Sequence, residues 1–211
     1  MLFDFESLPE EARYRLLLAT VLPRPIAWVT TQDRDGLVNA APFSFFNVFG
    51  ADPATVALGV GSSSRTQPKD TRVNIRATEE FVVNLVPFSA TENMRNTSLP
   101  FPRRVSEIEI AEIATLPSLR VAPPRIAESP VSLECRFMQE IRLGGFSLVL
   151  GRIVMMHVMD DAVIDPEKQY IDSSALDLIG RMEGQRYTRT RETFEPEGAE
   201  RAHALWAANK G

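Results

Sequence analysis

Apolar positions along the chain change period several times, and each change marks an element. Over residues 7–21 an S-x-x-E box at Ser7 and Glu10, with Pro9 in the first turn, precedes Tyr14, Leu17, Leu18 and Val21 at helical spacing, which predicts a helix. From Pro25 the residues become β-branched and aromatic. The stretch 25–31, the turn residues Asp33-Arg34-Asp35-Gly36 and the extended stretch 37–41 together predict a hairpin over 25–41. Residues 55–60 and 80–86 predict two more strands, with a short helix over 69–77 between them. Ser89-Ala90-Thr91-Glu92 forms a second box and opens a helix toward Thr97. Two long strands, 131–143 and 146–158, flank Gly144-Gly145, a two-residue hairpin signal.

Six or seven closely spaced strands leave little room for βαβ crossovers, so they pair antiparallel, and a closed or partly closed barrel hides their edges. The expected fold class is all-β with peripheral helices. Three regions follow: a helical segment over 1–24, a barrel domain over 25–160, and a polar extension over 161–211 that packs on the barrel or on a partner subunit.

Composition narrows the function. The chain has 211 residues, 44% hydrophobic and 24% charged, enough for a real core without staples. A net charge of −5 argues against nucleic-acid binding, which needs a basic face. One Cys excludes an intramolecular disulfide, and two His put the usual zinc sets out of reach. The acidic opening Met1 to Glu6 does not resemble a secretory signal. The longest apolar candidate for a membrane span, 146–159, contains Arg152 and His157. These features predict a soluble, cytoplasmic protein that works without metal and away from membranes.

The acid–base supply is thin. There is no G-x-G-x-x-G after a strand, no Walker loop, no H-E-x-x-H and no G-x-S-x-G elbow. His157 and Cys135 sit in apolar strands and His203 in an Ala-rich terminal helix, positions that suit structural roles. No catalytic side chain is assigned, and an enzyme built this way borrows its reactivity from an organic cofactor.

Two stretches could hold one. In Asn39-Ala40-Ala41-Pro42-Phe43-Ser44-Phe45-Phe46-Asn47, aromatic walls alternate with donors from Ser44 and Asn47, a combination suited to a flat heteroaromatic ring. Burying about 200 Å² of such a ring contributes on the order of 5 kcal/mol. The same residues also suit a core cluster at a strand end. The second stretch, Gly61 to Thr71, offers Ser62, Ser63, Ser64, Arg65 and Lys69 before a helix N-terminus, a setting for a phosphate monoester; an ordinary solvated loop has the same look. One predicted strand separates the two stretches. At about 3.3 Å per residue it spans roughly 20 Å, which would put the ring at one end and the phosphate toward the other.

The run of motifs R-P-I-A-W-V-T-T, N-A-A-P-F-S-F-F-N, D-P at Asp52-Pro53, K-D-T-R-V-N-I, E-F-V-V-N-L, S-P-V-S-L-E-C, L-V-L-G-R-I-V and R-Y-T-R-T resembles the flavin reductase-like, FMN-binding split-barrel family over about residues 20–195. The resemblance implies a Greek-key split β-barrel, non-covalent FMN near the interface of a homodimer, and NADH or NADPH as co-substrate. Carried over, Phe43, Ser44, Phe45 and Asn47 surround the ring, while Ser62, Ser63, Ser64, Arg65 and Lys69 serve the phosphate with Asp70 and Thr71 in support. Arg181 and Tyr187 form the C-terminal contribution. There the R-x-G-G of relatives reads Arg181-Met182-Glu183-Gly184, with Glu183 in place of a glycine. The implied activity is hydride transfer from NAD(P)H to flavin N5, with reduced FMN supplied to a partner oxygenase or acceptor. The alternative is an electron-transfer protein that keeps FMN tightly bound and exchanges electrons with a donor protein.

Overall fold

The structure, a computed structural model, describes residues 1–61, 68–102, 105–194 and 196. The chain runs α1 (Glu10–Thr20), β1 (Arg24–Pro25), β2 (Ala27–Gln32), β3 (Val38–Phe43), β4 (Phe46–Ala51), β5 (Ala54–Gly61), α2 (Asp70–Thr78) and β6 (Glu80–Leu85). It continues through α3 (Thr91–Asn96), α4 (Glu107–Ile110), β7 (Thr115–Leu116), β8 (Arg125–Ile126), β9 (Val131–Leu143) and β10 (Phe146–Val158). Four short strands finish it: β11 (Val163–Asp165), β12 (Tyr170–Ile171), β13 (Ile179–Arg181) and β14 (Tyr187–Arg189).

Seven strands form one antiparallel sheet in the order β3-β2-β6-β9-β10-β5-β4. Its outermost strands, β3 and β4, are joined in the chain by only Ser44 and Phe45. A sheet whose two edges lie two residues apart must curl until they meet, yet β3 and β4 are not paired with each other. The result is a split β-barrel, all-β with peripheral helices.

Period-2 alternation along β2 explains why both faces of that strand are buried. Ala27 and Val29 point into the barrel with Val56, Leu58, Phe81, Val83, Leu133 and Val149. Ile26 and Trp28 point the other way, into a second cluster with Ala40, Met94, Ile126 and Ile179. Trp28 is fully buried and its Nε1 donates to Thr97 Oγ1 at 2.9 Å, which satisfies its one polar atom and ties α3 to the sheet. The hairpin of β9 and β10 spans the predicted residues and turns at Gly144-Gly145.

Several expectations need correction. Pro9, not Ser7, caps α1, so Glu10 is the first residue of the helix; the Ser7 hydroxyl donates back to Asp4 O at 3.1 Å, and no capping box forms. The second helix also exists without its box: a 3₁₀ turn at Phe88–Ala90 leads into α3, and the Thr91 hydroxyl donates to Phe88 O at 2.7 Å. β4 was not anticipated. The polar C-terminal stretch forms β11 to β14, of which β13 pairs with β1 near the other end of the chain.

Candidate functional site

The seam of the barrel is also where the chemistry-bearing residues gather. β3 ends at Phe43, and the Gly59 N–H donates to Phe45 O at 2.7 Å, which pins the bend to β5. A Cβ on Gly59 would lie 2.8 Å from Phe45 Cβ, so only glycine admits this approach. Because β4 leaves the bend and β5 returns beside it, with Phe46 opposite Leu58, the end of β5 comes back to the bend. The two predicted stretches therefore meet at one end of β5 rather than lying a strand length apart. Lys69 Nζ sits 5.0 Å from the centre of the Phe43 ring, and burial pushes its ammonium pKa down.

Lys69 is also the cap residue of α2, and a buried network fixes where that helix begins. The Thr71 hydroxyl donates to Asn39 Oδ1 at 3.0 Å, and Asn39 Nδ2 donates to both carboxylate oxygens of Glu107 at 2.9 Å. Glu107 Oε2 also accepts the Ala40 N–H at 3.2 Å. Burial raises the Glu107 pKa against the lowering effect of these donors, with a further push from Asp70.

Above Phe43, Ser44 and Lys69 lies a cavity of about 380 Å³. Its roof comes from distant parts of the chain: Tyr14 and Leu18 of α1, Met94 and Ser98 at α3, and Arg181, Met182 and Tyr187 of the C-terminal hairpin. Arg24, only 5% exposed, holds two of these parts together. Its Nη1 donates to Leu18 O and Val21 O, both at 2.8 Å, and Nη2 donates to Met182 O at 3.0 Å. One guanidinium thus caps the C-terminal carbonyls of α1 and binds the hairpin to them. An aromatic floor, apolar walls, a half-buried ammonium and a helix N-terminus make a slot for a flat ring carrying an anionic tail.

The model of the flavin reductase like domain matches residues 19–172. The chain belongs to the flavin reductase-like family. A relative from Deinococcus radiodurans, itself uncharacterised, is 42% identical over 198 residues, which cover 92% of this chain and 87% of the relative. Nitrilotriacetate monooxygenase component B from Bacillus cereus superimposes with a TM-score of 0.87 at 30% identity, over 93% of this chain and 98% of that one. The 2-nitrobenzoate 2-nitroreductase of Pseudomonas fluorescens gives 0.84 at 33% identity, over 94% and 96%.

Within this flavin reductase-like fold, the residues singled out by sequence are dispersed. Phe43, Ser44 and Lys69 line the cavity. Phe45 lies behind its wall, with ring centroids 6.1 Å from Tyr14 and 5.6 Å from Phe146. Asn47 is exposed on β4, where its Oδ1 accepts the Val48 N–H at 2.8 Å. Asp70 is the half-buried first residue of α2, and Thr71 is buried in the Asn39 network. Ser62, Ser63, Ser64 and Arg65 lie outside the described residues, as does His203.

Arg181 and Tyr187 line the cavity, whereas Glu183 does not; it pairs with Arg186. Cys135 is buried in the barrel, and burial pushes its thiol far up, which leaves it inert. His157 Nε2 lies 2.5 Å from Glu134 Oε1, away from the cavity lining. Among the described residues no His, Cys, Asp and Glu gather into a metal-binding group, and no helix is long and apolar enough to cross a membrane. Arg24, Tyr14, Leu18 and Met94 were not assigned to the site from sequence, where Tyr14 and Leu18 read only as helix positions. Arg24 opens the R-P-I-A-W motif, but nothing local shows that its partner is Met182.

Proposed function

We propose that this cavity binds FMN and that the protein is an NAD(P)H-dependent flavin reductase serving a partner oxygenase or other acceptor. The observation that carries the reading is Lys69: a half-buried ammonium over the Phe43 ring, at the start of α2, with no carboxylate paired to it among the described residues. A partly desolvated cation with no counter-ion among the described residues suits an anionic ligand, and the aromatic floor beside it suits a ring. Bound flavin supplies the redox chemistry, acceptance of a hydride at N5 from a nicotinamide.

The chain's own residues have the remaining tasks. Phe43 and Ser44 form the floor of the ring slot. Lys69 and the α2 N-terminus hold the phosphate, with Ser62, Ser63, Ser64 and Arg65 assigned to the same end from sequence. Thr71 and Asn39 keep that end in place, and Tyr14, Leu18 and Met94 exclude water from above. None of this needs an acid or base, which agrees with the inert Cys135 and the distant His157.

Lys69→Gln tests the assignment. FMN affinity should fall at least tenfold, about 1.4 kcal/mol, close to the lower end of what one charge-assisted hydrogen bond contributes. Riboflavin affinity should change less than threefold; equal losses for both would refute it. Anaerobic mixing of holoprotein with NADH and with NADPH tests the reductase, since absence of bleaching by either would leave the electron-carrier alternative. A homodimer completes the proposal. It is supported by β4, an edge strand with Val48 and Phe49 55% and 58% exposed, and sedimentation as a single chain would remove it.

A further inference from the structure

The charges around the cavity are unbalanced. Three of its lining residues, Arg24, Lys69 and Arg181, are cationic, and none is acidic. Lys69 belongs to the floor, whereas Arg24 and Arg181 lie on β1 and β13, paired at Arg24↔Arg181, and repel each other. Glu183 acts on Arg24 through space but has Arg186 as its ion-pair partner. No described carboxylate hydrogen-bonds to either guanidinium. Arg24 Nε is buried and has no hydrogen-bond partner among the described residues. Two adjacent guanidinium groups at the wall of one cavity, one of them almost fully buried, are costly unless an anion joins them.

The two groups are not equivalent. Arg24 spends its Nη atoms on three backbone carbonyls. Arg181 is only half-buried, and it donates to the Tyr187 hydroxyl and to Gly184 O while lying 4.8 Å from the centre of the Tyr187 ring. Those two bonds fix the plane of its guanidinium and leave three of its five N–H donors for a ligand. A single oriented fork matches the two oxygens of a carboxylate, whereas a phosphate dianion would call for further donors. Around it the walls are aromatic and apolar: Tyr14, Ile26, Met94, Met182 and Tyr187.

We propose that the roof end of the cavity, between α1, β1 and β13, is a second anion subsite, in which Arg181 takes the carboxylate of a small planar organic acid. Arg24 stands behind it as a positioning residue that holds the two walls and adds positive field. The assignment deepens the FMN reading, on which it rests: the flavin phosphate occupies the Lys69 end, and the organic acid lies at the opposite end against the ring slot.

The test uses holoprotein titrated with benzoate and with its uncharged counterpart benzamide, followed by the flavin absorption spectrum. Wild-type protein should bind benzoate at least tenfold more tightly than benzamide. Arg181→Gln should bring the two within twofold. Arg181→Lys, which keeps the charge and loses the fork, should weaken benzoate at least threefold and covers the case in which the glutamine variant fails to fold. Equal binding of benzoate and benzamide to wild type would overturn the proposal, as would a preference that survives in Arg181→Gln. A third contrary outcome is loss of FMN-over-riboflavin discrimination in Arg181→Gln, which would put the flavin phosphate at Arg181. Should FMN fail to bind at all, the thermal shift of flavin-free protein by benzoate against benzamide still reads the subsite separately from the cofactor reading.

Discussion

The floor and the roof of the cavity are built in opposite ways. Phe43, Ser44 and Lys69 belong to β3, its bend and the start of α2, next to the seven-stranded sheet, and the buried chain from Glu107 through Asn39 to Thr71 holds that corner from beneath. The α1 side of the roof has no such foundation. α1 contains no buried residue, and its Tyr14 and Leu17 are 43% and 40% exposed. It is attached through the Arg24 guanidinium and the contact of Tyr14 with the Phe45 ring. A pre-organised floor fixes where a ligand lies, while a helix held by so few contacts can part to admit it. The difference assigns binding geometry to the floor and access to the roof.

The floor offers the largest effect. Asn39→Ala removes the two bonds that Nδ2 donates to the buried Glu107 carboxylate, leaving it the Ala40 N–H, and removes the acceptor of the Thr71 and Thr31 hydroxyls. Leaving a buried charge short of its partners costs about 3 kcal/mol. We expect urea denaturation to show that loss for the whole protein, because α2, α4 and the sheet are joined at this point. A loss under about 1 kcal/mol would mean that the network is ornamental and that floor and roof do not differ as described.

Arg24→Met should produce a smaller and more local effect. It deletes three hydrogen bonds to carbonyls and leaves Leu18, Val21 and Met182 to find water. The expected cost is about 2 kcal/mol, since each charge-assisted bond carries roughly 1.5–3 kcal/mol and the freed carbonyls are rehydrated in part. Hydrogen exchange should quicken in α1 and in β13 and β14 while amides of β2, β6 and β9 keep their protection. Uniform acceleration across the sheet would show that the roof is integral to the barrel and would break the contrast.

Legibility in the sequence follows the same division. The β9–β10 hairpin reads directly because two 13-residue strands flank a Gly-Gly turn. β4 does not read at all: of its six residues only Phe46 is buried, so the alternation that marks a strand is missing. That one omission also misplaced the two halves of the cradle, which its return brings together. The Ser7 box failed because Pro9, which has no N–H to satisfy, took the cap position ahead of Glu10. In the site, Phe43 and Ser44 lie in one short motif and Lys69 opens another, K-D-T-R-V-N-I. The roof depends on contacts such as Arg24 with Met182, 158 residues apart, for which no local spacing exists.

The smallest effect concerns two buried glutamates, one under the floor and one on the far side of the sheet. Burial drives the Glu107 carboxyl up, and its donors only partly oppose this. Burial pushes Glu134 up as well, but the Leu119 N–H at 2.8 Å, His157 and the Arg120 N–H at 2.6 Å outweigh it, and its pKa is lowered. Between the ordinary carboxylate value and its raised value, Glu107 holds more proton folded than unfolded, so its contribution to stability falls as pH rises through that window. For Glu134 the folded state holds less proton, so its contribution is present above the ordinary value and is lost as pH falls through the lowered one. Glu107→Gln should therefore flatten the decline of stability above the ordinary value, and Glu134→Gln the decline below it, each read as the slope of unfolding free energy against pH. Were the two substitutions to change the slope on the same side, the carboxylate beneath Asn39 would be held as a fully satisfied anion. The floor would then owe its rigidity to charge rather than to the shared hydrogen bonds around Asn39.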